Sequence, residues 1–131
     1  MVTYGTQTQY FVGGQDNKGH VLKGGNNYSL HIPADAPAKL FWSAVVYDVN
    51  TRTPIINSEL SSAVSSRTGV MPNDDGSVTI HFSPVLPGGV SKDNWIQTNS
   101  GESWFVYLRF YGPTEAYFDQ TYPLENVKRV K

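Results

Sequence analysis

The sequence predicts an all-β fold, an antiparallel β-sandwich with one or two short helical turns. Apolar residues alternate with a period of two in at least four segments, the pattern of strands that bury one face. Turn residues separate these segments, and the 12 glycines and 8 prolines are dispersed along the chain, as many short connections require. Aromatic residues make up 13% of the chain, a content that disordered chains lack.

Two of the alternating segments lie near the N-terminus. In residues 6–12, threonines and apolar residues alternate with glutamines and Phe11, and Gly13 and Gly14 then end the strand. The second segment, residues 28–32, places three apolar residues on one face: Tyr28, Leu30 and Ile32. Both segments are therefore expected to form half-buried strands.

Two longer segments predict the centre of the fold. Residues 40–47 are apolar on both faces, which indicates a central strand covered on both sides. Residues 104–111 form the second long strand, and a strong turn at 73–76 precedes a third apolar face. The residues expected to be largely buried are Trp42, Val46, Ile80, Val106, Leu108 and Phe110.

Short helical turns are expected at two places. One is residues 57–64, and the other is residues 114–118, where Pro113 would occupy the first helical position. No internal repeat or low-complexity linker divides the sequence. Residues 1–131 are therefore expected to form a single domain, since this length is close to the commonest domain size.

Charge and composition exclude several classes of function. The net charge is −1 without a basic stripe, so we expect no specific binding of nucleic acid. The absence of cysteine excludes disulfides, thiolate metal sites and cysteine nucleophiles. No apolar run reaches 18 residues, so no membrane span is expected, and residues 1–10 are too polar for a signal peptide.

Several short motifs occur in a fixed order along the chain. They are Gly24-Gly25-Asn26-Asn27-Tyr28-Ser29-Leu30, Phe41-Trp42-Ser43 followed by Tyr47-Asp48, Asn73-Asp74-Asp75-Gly76-Ser77, Asn94-Trp95-Ile96 and Arg109-Phe110-Tyr111-Gly112-Pro113. Each motif is weak alone. The ordered set, with its spacings, resembles the DUF1214 family over nearly the whole chain.

The resemblance implies a jelly-roll-like β-sandwich, mostly bacterial and of unknown function. In that family the domain is usually the C-terminal part of a longer protein, and the N-terminal part is another uncharacterised domain, DUF1254. Many such proteins carry export signals, so a periplasmic or secreted location is slightly favoured over a cytoplasmic one. The resemblance supplies no catalytic residues, and we expect no cofactor.

Arg109 is the first candidate for ligand binding. It shares a strand face with Tyr107 and Tyr111, so one fixed cation lies among flat rings. Such a row suits a carboxylate, a phosphate or a sugar hydroxyl. The alternative is a structural ion pair with Asp48 or Asp75. Convergence of these three charges in an open pocket would favour a ligand or a reaction, whereas a buried ion pair would favour a structural role.

Trp95 lies in a polar stretch and is the next candidate. It forms either an exposed stacking platform or a plug at one end of the sandwich. The acidic turns at 16–18 and 73–75 could supply oxygen ligands for Ca²⁺, but Asx-turn chemistry explains both. His31 and His81 could share a zinc ion if their strands were neighbours, although their spacing gives no support. We therefore expect no metal site.

Two hypotheses for the function follow. The favoured one is a non-catalytic β-sandwich module that packs on a partner domain or binds a small ligand within a larger bacterial protein. It follows from the absence of a catalytic motif such as Gly-x-Ser-x-Gly. The alternative is part of a hydrolytic enzyme whose site is completed by a missing N-terminal domain. The sequence leaves open whether the chain takes part in catalysis.

Overall fold

The computed structural model describes residues 2–4, 10–16, 18–32, 38–55, 63–66, 69–113 and 127–130. Within these residues the fold is all-β, as expected from the sequence, and the nine strands form two sheets. The strands are β1 (Val2–Tyr4), β2 (Tyr10–Gly13), β3 (Asn27–Ile32), β4 (Ala38–Asp48), β5 (Ala63–Ser65), β6 (Val78–Ser83), β7 (Trp95–Gln97), β8 (Trp104–Pro113) and β9 (Lys128–Val130). The helical structure of this part of the chain is one 3-10 turn, Lys92–Asn94.

The five-stranded sheet has the order β1–β2–β8–β4–β5, and all of its neighbouring strands are antiparallel. The two long strands expected from the sequence, β4 and β8, lie side by side. They pair from Ala38 opposite Pro113 to Asp48 opposite Trp104, with a register shift between Ala38 and Phe41. These two strands are therefore the longest pair in the sheet and lie in its interior.

The four-stranded sheet has the order β7–β6–β3–β9. Strands β3 and β6 pair antiparallel, with Leu30 opposite Ile80 at the centre of the register. Strand β7 is parallel to β6, which differs from the purely antiparallel arrangement expected from the sequence. The reason is the connection: residues 84–94 run back along the sheet before β7 begins, and parallel neighbours need such a crossover.

The core lies between the two sheets. Trp104 of β8 enters it from the five-stranded sheet, and its ring centroid lies 4.7 Å from that of Phe82 on β6 and 5.5 Å from that of Tyr28 on β3. Alternation along each strand explains why these residues face inward. Of the six residues expected in the core, five are buried: Trp42, Val46, Ile80, Val106 and Leu108. The side chain of the sixth, Phe110, lies outside the described residues.

Both helical segments expected from the sequence include residues that the structure places in strands. Ala63 and Val64 belong to β5, opposite Val45 and Ala44, so the helical prediction for 57–64 is wrong at its end, while 57–62 lie outside the described residues. Pro113 is the last residue of β8 and not the start of a helix. A proline is tolerated at a strand end because its missing N–H breaks no interior ladder bond. Residues 114–118 lie outside the described part of the chain.

No helix among the described residues has the length and apolar character needed to cross a membrane.

Candidate functional site

The outer face of the five-stranded sheet carries a group of aromatic side chains. Alternation along β8 places Phe105, Tyr107 and Arg109 on this face, because the residues between them are buried. On β4, Tyr47 pairs with Phe105 and Val45 pairs with Tyr107. The register thus brings three aromatic residues of two adjacent strands onto one surface.

The three rings contact one another. Tyr47 and Phe105 are stacked, with centroids 5.4 Å apart and planes 15° from parallel. Tyr107 meets both rings edge-on, at 5.2 Å from Tyr47 and 5.5 Å from Phe105. Such offset and edge-to-face arrangements are the favourable ones for aromatic pairs. The cluster is therefore a preformed, mutually supported surface.

An arginine lies against each end of this cluster. The guanidinium carbon of Arg109 is 5.5 Å from the ring centroid of Tyr107, and that of Arg52 is 5.9 Å from the ring centroid of Phe105. Both distances allow attraction between the cation and the ring face. We call the surface formed by Tyr47, Phe105, Tyr107, Arg52 and Arg109 the aromatic face.

The aromatic face is incompletely covered. Tyr47, Phe105 and Tyr107 are half-buried, and Arg109 is exposed. The four-stranded sheet packs on the opposite side of the five-stranded sheet, and among the described residues no other layer lies over these rings. An outer strand face is normally polar when water covers it. This face therefore departs from that pattern at its centre.

Asp48 and Arg109 do not meet, although the sequence made them candidate partners. Arg109 lies opposite Ser43 of β4, and Asp48 follows five residues later, about 17 Å along the strand. Asp48 Oδ1 accepts hydrogen bonds from the backbone amides of Asn50 at 2.7 Å and Thr51 at 3.1 Å. It therefore shapes the turn in which Arg52, with φ of 60°, reaches Phe105. Its connection with the aromatic face is thus through Arg52.

Asp75 lies elsewhere, in the turn before β6 of the four-stranded sheet. Its Oδ1 accepts hydrogen bonds from the Ser77 hydroxyl at 2.5 Å and from the Ser77 backbone amide at 2.9 Å. These bonds, the hydroxyl first, hold the pKa of Asp75 below its usual range. Arg109, Asp48 and Asp75 therefore form neither a shared pocket nor a buried ion pair.

The other two candidate residues have different outcomes. Trp95 is 9% exposed, and its Nε1 donates to the backbone carbonyl of Ser83 at 3.1 Å and to the Ser83 hydroxyl at 3.0 Å. The exposed-platform interpretation of Trp95 is thus wrong, because the ring packs into the protein with its N–H satisfied. For Tyr111 the structure describes the backbone, which pairs with Phe41, while its side chain lies outside the description.

The sequence offered two possible metal sites, Ca²⁺ at the acidic turns and zinc between His31 and His81. In the first acidic turn, Asp16 Oδ1 accepts the backbone amides of Lys18 at 2.8 Å and His20 at 2.9 Å, which is Asx-turn chemistry. Strands β3 and β6 are neighbours, and His31 and His81 lie diagonally on one face. Within the described ranges, however, no three His, Asp or Glu side chains group together as metal ligands would.

A cleft of about 330 Å³ lies beside β6 on the outer side of the four-stranded sheet. Its lining comes from residues 71–73, from Thr79 and His81 of β6, and from residues 89–91 with Asn94. The sequence does not reveal this cleft, because its shape depends on how two loops and the 3-10 turn fold back beside β6. Two of its lining residues were considered in the sequence as possible metal ligands, Asn73 for Ca²⁺ and His81 for zinc.

The chain is similar to solved structures and to one protein family. No curated protein matches it. The VPA0106 protein of Vibrio parahaemolyticus is similar in its crystal structure, with 25% identity and a TM-score of 0.82 over 94% of the chain. A structure of a putative uncharacterized protein from Burkholderia cenocepacia shares the fold, with 11% identity and a TM-score of 0.55 over 98% of the chain.

The chain spans only 30% and 31% of the lengths of these two structures, respectively. The family described as "Protein of unknown function (DUF1214)" matches residues 7–115, which is most of the sequence. The order of motifs noted in the sequence is consistent with this match. The chain therefore belongs to the DUF1214 family, whose function is unknown.

Proposed function

We propose that this domain is a non-catalytic module that docks on a partner domain through the aromatic face. The observation that carries the proposal is the half-buried cluster of Tyr47, Phe105 and Tyr107, with no described layer over it. Aromatic residues and arginine are the residue types enriched at the centres of protein interfaces. Burying the rings fully would add hydrophobic stabilisation that the isolated domain does not obtain.

The proposed partner is the remainder of a longer polypeptide, such as the DUF1254-like N-terminal domain that the family resemblance implies. In both similar structures, about 70% of the chain lies outside the part that resembles this domain. The two arginines add a requirement on the partner, because Arg52 and Arg109 lie at the two ends of the aromatic cluster. We expect an apolar partner surface flanked by carboxylates, which would pair with these guanidinium groups.

The charges that motivated a hydrolytic site give it no support. Asp48 and Asp75 each hold a turn, and Arg109 contacts a ring. A general acid–base pair needs its groups within hydrogen-bond reach of one substrate. The docking hypothesis is therefore the one that the described geometry favours.

The experiment compares the chain with a double variant, Phe105→Ser with Tyr107→Ser. An incompletely covered aromatic face should bind the dye 8-anilinonaphthalene-1-sulfonate and should promote self-association that increases with concentration. We expect both signals in the unmodified chain and their loss in the double variant. Fluorescence and sedimentation equilibrium measure them.

The matched control is Met71→Ser with Val85→Ser, two residues that are 60% and 74% exposed but lie outside the aromatic face. This control should retain both signals. If the unmodified chain remains monomeric without binding dye, or if the two double variants behave alike, the docking hypothesis is wrong. Near-native unfolding midpoints for both variants would show that the fold is intact.

A further inference from the structure

The cleft beside β6 is a second site, independent of the aromatic face. We propose that it binds a small uncharged polyhydroxy compound of monosaccharide size. Its volume of about 330 Å³ lies at the lower end of the range for ligand pockets. The side chains that line it combine hydroxyl, imidazole and apolar groups, which suit this ligand class better than an ion or an apolar molecule.

Hydrogen bonds of the Asn94 side chain connect the walls of the cleft. The Asn94 side chain is buried, and its Oδ1 accepts from the Met71 amide at 2.7 Å. Its Nδ2 donates to the carbonyls of Met71 at 2.9 Å and Thr79 at 3.2 Å. One side chain thus joins segment 71–73 to β6 and to the 3-10 turn. The walls are therefore fixed before any ligand enters, which lowers the cost of binding.

His81 supplies an imidazole with hydrogen-bonding capacity to spare. His81 lies on the outer face of β6 and lines the cleft, and its ring makes no hydrogen bond with any described residue. Partial burial lowers the pKa of His81, so the ring is neutral near pH 7. A neutral imidazole donates from one nitrogen and accepts at the other. That combination matches adjacent hydroxyl groups, each of which can donate and accept.

Two hydroxyls in the lining have a similar capacity. Thr79 Oγ1 accepts a hydrogen bond from Asn73 Nδ2 at 3.1 Å, and Ser91 Oγ accepts one from the Asp93 amide at 3.2 Å. Since each hydroxyl is engaged as an acceptor, its own hydrogen is available to a ligand oxygen. The cleft therefore offers three side chains, Thr79, His81 and Ser91, for hydrogen bonds to a polyol.

The rest of the lining sets the charge and shape of the ligand. Met71, Pro72 and Val90 provide apolar surface for the C–H groups of a sugar ring. Among the described residues that line the cleft, His81 is the only one whose side chain can carry a charge. An ionic ligand would lose its hydration there without gaining an opposite charge. The lining thus selects an uncharged molecule.

The test is a titration of the isotopically labelled chain with D-glucose, D-galactose, D-mannose and N-acetylglucosamine, followed by amide NMR shifts. We expect at least one sugar to give saturable shifts in 71–73, 79–81 and 89–91 at millimolar concentration. His81→Phe keeps the ring and removes both nitrogens, and Thr79→Val removes the hydroxyl. Each should weaken binding by about five- to tenfold.

His31→Phe is the matched control, since His31 lies diagonally across on β3 and does not line the cleft. Its affinity should equal that of the unmodified chain. The proposal is overturned if none of the four sugars gives saturable shifts in the cleft. It is also overturned if both His81→Phe and Thr79→Val, folded as judged by their spectra, bind as well as the unmodified chain.

Discussion

The outer faces of the two sheets differ in chemistry. On the four-stranded sheet, the outward residues at the β3–β6 pair are Ser29, His31, Thr79 and His81. On the five-stranded sheet, the outward residues at the β4–β8 pair include Tyr47, Phe105 and Tyr107. Both sheets contribute apolar residues to the core, so burial between the sheets does not explain the difference.

The contrast shows what each face is suited to contact. Alternation between apolar and polar residues marks a sheet with one wet face, and β3 and β6 follow it. Strands β4 and β8 carry large apolar side chains on both faces, the pattern of strands covered on both sides. We therefore infer that water covers the first face, apart from its cleft, and that a partner covers the second.

The largest expected effect is on the free energy of unfolding, and it should differ between substitutions on the two faces of β8. Leu108 is 2% exposed in the core, and Leu108→Ala should lower the free energy of unfolding by about 2–5 kcal/mol through lost burial and the cavity that remains. Tyr107→Ala, on the other face of the same strand, should cost less, because its ring is only half-buried. Urea denaturation measures both. Equal losses would mean that the two faces do not differ as described.

On the polar side, the most sensitive residue is Asn94. Asn94→Ala removes three hydrogen bonds to backbone groups of Met71 and Thr79 and should cost about 1–3 kcal/mol in unfolding free energy. Asn50→Ala, at an exposed turn position, is the control and should have little effect. Urea denaturation of the two variants tests this, and a negligible loss for Asn94→Ala would contradict the proposed clamping of the cleft.

Arg109→Ala should lower the free energy of unfolding by a smaller amount. The guanidinium is exposed and lies over Tyr107, a contact that contributes about 0.5–1 kcal/mol at such sites. No described carboxylate pairs with it, so its removal leaves no unpaired buried charge. Thermal and urea unfolding of Arg109→Ala and Arg109→Lys would measure this. A loss above about 3 kcal/mol would instead indicate a buried ion pair.

The smallest expected effect is a pH dependence from His81. Burial lowers its pKa in the folded chain, so the unfolded chain binds a proton more readily. The contribution of His81 to the free energy of unfolding should therefore be constant above about pH 6.5 and should decline as the pH falls below that value. His81→Gln should remove that part of the decline, and His31→Gln should retain it. Unfolding free energies measured between pH 5 and 8 would show a difference in slope, and identical slopes for the two variants would contradict the assignment.

Most of the fold could be predicted from the sequence because alternation is a local property. Leu30 and Ile80 are buried where the period-two pattern placed them. The parallel pairing of β6 with β7 could not be predicted, because it depends on the path of a long connection. Pro113 was misassigned because a proline suits a strand end as well as a helix start.

The candidate site could be predicted only in part. The row of Tyr107 and Arg109 follows from strand geometry, and the structure places them in contact. Their neighbours Tyr47 and Arg52 could not be found, since they depend on the register of β4 and on the turn after it. For Trp95 the sequence could not decide between an exposed platform and a plug, because its polar neighbours gave no sign of its hydrogen bonds to Ser83.

The most direct test of the docking hypothesis uses the crystal structure of the Vibrio parahaemolyticus protein, 30% of which is covered by the match to this chain. After superposition, the area that the rest of that chain buries on the outer face of each sheet can be measured. We expect more than about 600 Å² to be buried on the five-stranded sheet, as is typical of contacts between domains, and much less on the four-stranded sheet. An exposed five-stranded face in that protein, or a larger contact on the other sheet, would contradict the assignment of the aromatic face as the docking surface.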